Sequence, residues 1–160
     1  MKSAILASAA LAITAIALSG CGEQASDTTE AVPNAKPDVT VTDGRLVLPA
    51  VKGNPGAVYF DITYAGDDTA VLRAAAVQGA GSATIHETFE TDGQMSMEEA
   101  LPTNLKKGET VKFEPGGKHV MAMDLDESLT AGATTEVTLT FLGGDKLTFP
   151  ATILAAGEAR

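Results

Sequence analysis

Tryptophan is absent from this 160-residue sequence, and aromatic residues make up only 4% of it. A groove that holds unpaired bases by stacking needs several aromatic side chains, so this class of site is disfavoured. Positive charge is also scarce: 11 lysines and arginines stand against 21 aspartates and glutamates, giving a formal net charge of −10. Nucleic acid is therefore excluded as a partner, since phosphate binding depends on basic side chains.

The only cysteine, Cys21, follows an apolar stretch, Ala4 to Leu18, that is preceded by the positive charge of Lys2. This order is typical of a secretion signal, and Leu-Ser-Gly-Cys at residues 18–21 resembles a lipobox. About 15 apolar residues are too few for a transmembrane helix, which needs roughly 20. We therefore predict a signal peptide at residues 1–20 and a lipidated Cys21 that anchors the protein to a membrane on the periplasmic side of the cell envelope.

Beyond the cysteine, residues 21–38 are small and polar and lack apolar periodicity, which predicts a flexible tether. Residues 39–156 are predicted to form one domain, because a single hydrophobic core is typical at about 100 to 150 residues. In this domain, short apolar runs alternate with Gly, Pro and Asp turn signals, and no amphipathic helix is evident. Val137, Leu139 and Phe141 show the clearest alternation, with their side chains predicted to face inward. The fold class is predicted to be all-β, a sandwich or a barrel.

The apolar runs define the predicted strands. These are Val39–Val41, Arg45–Leu48, Ala57–Tyr64, Ala70–Val77, Ala83–Glu90, Gln94–Leu101, Thr110–Phe113, His119–Leu125, Thr135–Leu142 and Lys146–Leu154.

Apart from Met1, every methionine and both histidines fall between residues 86 and 123. Thioethers are soft, uncharged ligands and imidazole is borderline, so together they suit Cu(I) better than Mg²⁺, Ca²⁺ or Mn²⁺. Zinc binds histidine but rarely takes thioethers. The cluster therefore indicates a copper site. Its members are His86, Met95, Met97, His119, Met121 and Met123.

The first part of the cluster lies on a predicted hairpin. Asp92-Gly93 is a strong signal for a two-residue turn. In the register that this turn imposes, Thr88 faces Met97, so Met97 and Met95 share one face of the sheet with His86. The hairpin thus supplies one half-site.

The second half-site lies on a later strand. His119, Met121 and Met123 share a face there, because side chains alternate along a strand with period two. The residues alone leave open whether the fold brings the two half-sites together.

The spacing of four of these residues resembles that of the PCu(A)C family of periplasmic copper chaperones. In this sequence, ten residues separate His86 from Met97, and twenty-one separate Met97 from the His119-x-Met121 motif. The resemblance extends over about residues 45–154. It includes the segments Ala57–Phe60, Ile85–Thr88 and Pro115–His119.

This resemblance implies a cupredoxin-like β-sandwich that binds one Cu(I) ion through His86, Met97, His119 and Met121. It also implies delivery of the ion to an acceptor copper protein, either a cytochrome c oxidase subunit or another chaperone. Met95 and Met123 lie outside the motif. They are interpreted as residues that support the ligands or pass the ion on, with core packing as the alternative.

Two other functions remain open: a copper buffer or tolerance lipoprotein without a dedicated acceptor, and a structural β-sandwich lipoprotein whose methionines pack in the core. An enzyme is not expected, because the sequence has no Gly-x-Ser-x-Gly elbow and no third histidine for a common hydrolytic metal site. A blue-copper electron carrier would need a cysteine thiolate beside its histidines. The only cysteine, Cys21, is assigned to the lipid anchor.

Overall fold

The computed structural model describes residue 36 and residues 38–158. The predicted signal peptide, Cys21 and nearly all of the tether lie outside these residues. The regular structure of the described part consists of strands: β1 (Val39–Val47), β2 (Gly56–Tyr64), β3 (Ala70–Val77), β4 (Ala80–Thr91), β5 (Gln94–Glu99), β6 (Thr103–Leu105), β7 (Thr110–Phe113), β8 (Lys118–Leu125), β9 (Thr134–Phe141) and β10 (Lys146–Leu154). Within this range, no helix is long and apolar enough to cross a membrane.

The all-β prediction is confirmed. β3, β7 and β10 occupy the predicted residues, and the predicted inward row of β9, Val137, Leu139 and Phe141, is fully buried. Two details differ. β6 was missed because three residues are too few to show alternation, and the two pieces predicted for β1 are one strand.

A bulge explains the continuity of β1. The pairing of β1 with β2 shifts register between Thr42 and Arg45, and Asp43 adopts a left-handed φ of 56°. Such an insertion bends a strand and increases its twist without ending it. β1 therefore pairs with β2 on one side and, over Arg45–Val47, with β10 on the other.

Neighbouring strands follow the order β5-β4-β8-β7-β2-β1-β10-β9-β3-β6, and β8 also pairs with β2. β3 packs against β4 without sharing a ladder with it, so the sheet closes on itself as a sandwich. β2 buries every second residue while the residues between are only half-buried. The inward row of β2 enters the core, and its other face belongs to the outer surface.

Aromatic stacking holds the middle of the core. Phe60 lies parallel to Phe113, with ring centroids 4.3 Å apart and planes inclined by 13°, and Phe149 approaches at 5.1 Å. All three rings are buried. These rings join β2, β7 and β10 within the core. The outer faces of β2, β4 and β8 take no part in this packing.

Two described residues of the predicted tether contact this domain. The backbone N–H of Lys36 donates to the carbonyl of Lys146, and that of Ala65 donates to the carbonyl of Asp38. Lys36 Nζ also lies 3.2 Å from a carboxylate oxygen of Asp68. These contacts bring the chain onto the domain ahead of β1.

Candidate metal centre

The two histidines lie side by side on neighbouring strands. His86 of β4 is the antiparallel partner of His119 of β8. Their ring centroids are 6.1 Å apart and their planes are inclined by 29°. Directly opposed residues of antiparallel strands project from the same face. The fold therefore brings the two predicted half-sites together.

His119 is held firmly, with only 8% of its surface exposed. Its Nδ1 lies 3.1 Å from the carbonyl oxygen of Gly117, and a carbonyl can only accept a hydrogen bond. Nδ1 therefore carries the proton, which leaves the lone pair of Nε2 free to bind a metal ion. The turn before the strand makes this contact possible, because Gly116 has a φ of 82°. The turn at Pro115-Gly116-Gly117 thus positions the His119 ring.

His86 has an unsatisfied nitrogen. Its Nδ1 is shielded from solvent and has no hydrogen-bond partner among the described residues. A buried polar atom without a partner is costly unless something compensates for its desolvation. A bound metal ion would provide that compensation, so the state of His86 fits a role as a ligand.

Met97 and Met121 flank the histidine pair. Met97 is the partner of Thr88, as the hairpin register predicts, and Met121 is the partner of Thr84. Because Thr84, His86 and Thr88 alternate along β4, both methionines lie on the face of His86, at diagonal positions on opposite sides of it. All four motif residues therefore share one outer face of the sheet.

The hairpin that carries Met97 has the predicted turn. Asp92 and Gly93 have φ values of 54° and 78°, and Thr91 pairs with Gln94. Two successive positive φ angles define a type I′ turn, whose twist matches that of the flanking strands. The local sequence thus determines where Met97 stands relative to β4.

The methionines do not belong to the core. Met95, Met97 and Met123 are 61%, 50% and 41% exposed, and Met121 is half-buried. The alternative of core packing for Met95 and Met123 is wrong, and the structural interpretation that placed all four methionines in the core fails with it. The methionines lie outside the core because all four are on the same face of the sheet, and this is the outer face of β5, β4 and β8. Met95 and Met123 lie on this face one step further out than Met97 and Met121.

The donor set here consists of imidazoles and thioethers. In residues 38–158, no three His, Cys, Asp or Glu side chains come close enough together to hold a metal ion. Glu87, which follows His86, projects to the other face of β4 and forms an ion pair with Lys118. Glu99 is the exposed partner of His86 on β5. Neutral, soft donors of this kind suit a monovalent copper ion.

The rings of His86, His119 and Tyr59 form a row, and the guanidinium of Arg45 lies at its end. The sequence did not reveal that Tyr59 and Arg45 lie beside the histidines. The Tyr59 ring lies 6.3 Å from the His119 ring, and the Arg45 guanidinium lies 5.2 Å from the Tyr59 ring centroid. Burial raises the pKa of the Tyr59 hydroxyl, and the Arg45 charge opposes this shift. Alternation along β2 indicates that Tyr59 faces outward, but it does not indicate which strand lies beside it.

Residues 39–153 match the protein-family model described as "Putative lipoprotein LpqE-like". One relative, "Putative lipoprotein Lxx21020" of Leifsonia xyli subsp. xyli (strain CTCB07), is 36% identical over 89 residues. Those residues are 55% of this chain and 54% of that protein. The chain thus spans about half the length of the curated relative that it matches.

Solved structures of similar fold include PCuAC domains. The apo PCuAC domain from PmoF1 is 29% identical, with a TM-score of 0.61 over 74% of this chain and 94% of that chain. The Cu(I) form of DR1885 from Deinococcus radiodurans is 25% identical, with a TM-score of 0.57 over 83% and 89%. The copper-bound PCuAC domain from PmoF2, at 21% identity and a TM-score of 0.61 over 76% and 96%, is similar in fold. The predicted resemblance to PCuAC domains and the cupredoxin-like sandwich are confirmed.

Proposed function

The chain belongs to the LpqE-like lipoprotein family, and we propose that it is a copper chaperone of the bacterial cell envelope that carries one Cu(I) ion. The proposed ligands are His86, Met97, His119 and Met121. The observation that carries this proposal is the cross-strand pairing of His86 with His119, with both methionines on the same face. Similarity to the Cu(I) form of DR1885 supports copper as the metal.

The side chains themselves favour reversible binding. Nε2 of His119 offers a lone pair, because its Nδ1 proton is directed to Gly117. His86 offers a buried nitrogen that otherwise lacks a partner among the described residues. Met97 is half exposed, so its thioether is accessible to an incoming ligand from another protein. Neutral donors can be replaced one at a time without leaving an unpaired charge behind.

Met95 and Met123 are proposed as transfer ligands. Each lies on the face of the histidines, and both are well exposed. Met95 is next to the hairpin turn, where an acceptor has free access to it. Exposed thioethers next to the site allow the ion to leave without passing through water unbound.

We further propose that a signal peptide at residues 1–20 exports the chain and that a lipid on Cys21 anchors it to a membrane on the periplasmic side. The family description as a lipoprotein supports this part of the proposal. The proposed acceptor is another copper protein, such as the copper-binding subunit of cytochrome c oxidase or a second chaperone. The protein thus acts as a carrier and has no catalytic role.

A competition titration tests the proposal. Cu(I) is titrated against a coloured chelator in the presence of the wild type, a Met97→Leu/Met121→Leu variant or a Met95→Leu/Met123→Leu control. Leucine preserves apolar volume and removes only the sulfur. We expect one ion per wild-type chain, a loss of affinity of about 100-fold or more in the ligand variant, and nearly wild-type affinity in the control.

The outcomes separate the alternatives. Equal weak binding in all three proteins would remove the metal site and leave a β-sandwich lipoprotein without a copper function. Tight binding without transfer to an oxidase copper domain would leave a copper buffer. Transfer that is slowed in the Met95→Leu/Met123→Leu control would support the role given to these two residues.

A further inference from the structure

The outer face of β5, β4 and β8 is the proposed metal-binding face, and a positive charge lies at one end of the row of rings on it. Arg45, Tyr59, His119 and His86 follow one another across β1, β2, β8 and β4, and each contacts or pairs with the next. We propose that Arg45, held beside His119 by Tyr59, biases the site towards monovalent copper and against divalent ions. This inference concerns the same site and therefore rests on the proposed function.

Arg45 is fixed in position on two sides. It is the antiparallel partner of Tyr59, and its guanidinium packs on the Tyr59 ring at 5.2 Å. Its Nη1 donates to the carbonyl of Asp43 at 3.3 Å. The next step, from the Tyr59 ring to the His119 ring, is 6.3 Å. The charge is therefore within about 12 Å of the His119 ring, which is longer than the Debye length of about 8 Å at physiological salt, so its effect is largest at low ionic strength.

The bias follows from Coulomb's law. All four proposed ligands are neutral, so the ion keeps its full charge, and Arg45 repels Cu(II) twice as strongly as Cu(I). At about 10 Å and low ionic strength, in a largely aqueous dielectric, one unit of charge changes the affinity about two- to fourfold. Removing the Arg45 charge should thus raise Cu(I) affinity by that factor and Cu(II) affinity by its square. The ratio of Cu(I) affinity to Cu(II) affinity therefore falls about two- to fourfold.

Other charges near the row act differently. Lys118, which precedes His119, is paired with Glu87 and contributes little net charge. Glu99 is the exposed partner of His86 at the other end of the row. Its carboxylate attracts a divalent ion more strongly, so Glu99→Gln should shift the preference in the opposite direction from Arg45→Gln.

The test measures Cu(I) and Cu(II) affinities separately, by chelator competition under reducing and oxidising conditions. The variants are Arg45→Gln, the charge-preserving Arg45→Lys and the control Arg73→Gln. Arg73 is exposed on β3, which is not a ladder neighbour of β4 or β8, so the control loses the same net charge elsewhere. At low ionic strength, we expect Cu(II) affinity to rise about four- to sixteenfold in Arg45→Gln, Arg45→Lys to resemble the wild type, and Arg73→Gln to change little.

A second measurement uses ionic strength. The difference between the wild type and Arg45→Gln should shrink as salt is raised from about 0.05 to 0.5 M, because screening weakens the repulsion. The inference is overturned if Arg45→Gln raises both affinities equally, or if Arg73→Gln has the same effect. Failure of the wild type to bind Cu(I) would overturn the proposed function as well, whereas Cu(I) binding with an unchanged preference would overturn this inference alone.

Discussion

Replacing Gly93 by alanine should weaken copper binding without touching any proposed ligand. Gly93 has a φ of 78° in the turn of the β4–β5 hairpin, and a Cβ at this position would meet no atom within 4 Å. The substitution therefore introduces backbone strain alone, of about 1 to 2 kcal/mol. The strain falls on the arm that carries Met97, since β5 pairs only with β4 among the described strands and all its residues are exposed.

The size of the effect follows from the stability of that arm. A lone hairpin is marginally stable in water, and we take its stability as on the order of 1 kcal/mol. The fraction of molecules with a closed arm then falls from about 85% to between 50% and 15%. Apparent affinity scales with the competent fraction, so the Kd for Cu(I) should rise about two- to fivefold.

Gly108→Ala is the matched control. Gly108 has a φ of 74° in the turn before β7, and a Cβ added there would again meet no atom within 4 Å. The same strain therefore arises away from the proposed metal-binding face. Both variants and the wild type are titrated with Cu(I) against a coloured chelator. An unchanged Kd in Gly93→Ala, or an equal increase in both variants, would refute the link between turn geometry and the placement of Met97.

Two further predictions concern stability. Phe60→Ala should lower the free energy of unfolding by about 3 to 5 kcal/mol, measured by urea denaturation, because it removes a fully buried ring stacked on Phe113; a loss below about 1 kcal/mol would contradict this role. Hydrogen bonds from Ser128 lower the pKa of Asp126, so its carboxylate stabilises the fold above its ordinary pKa, and this contribution is lost as pH falls through the lowered value. Asp126→Asn should therefore make stability less dependent on pH below about 4, and an unchanged acid profile would refute the assignment.

Local patterns in the sequence predicted the features that depend only on residues close together in the chain, namely a turn and the buried side chains of a strand. Asp92-Gly93 determines its own turn and hence the pairing of Thr88 with Met97. Alternation along β9 predicts which side chains are buried. Both follow from backbone geometry over a few residues, so they require no knowledge of the rest of the fold.

Contacts between residues far apart in the chain could not be predicted from local patterns. The placement of β8 beside β4 pairs His86 with His119, and the placement of β2 beside β8 brings Tyr59 to the same ring. Strand order depends on how the whole core packs, which no local pattern encodes. Methionine packs equally well in a core or at a surface, so the sequence could not tell that Met95 and Met123 are exposed. The family resemblance supplied the expectation that the half-sites meet.

The parallel pairing of β1 with β10 has a consequence for the order of folding. Arg45–Val47 align with Thr152–Leu154, so the first strand of the domain cannot complete its ladder until the last strand is available. Contacts between such distant segments slow folding, because a long loop must close before the contact is gained. A growing chain would remain open throughout synthesis and close only after residue 154 has emerged. Such a delay would suit the proposed export, in which the chain crosses a membrane before it folds.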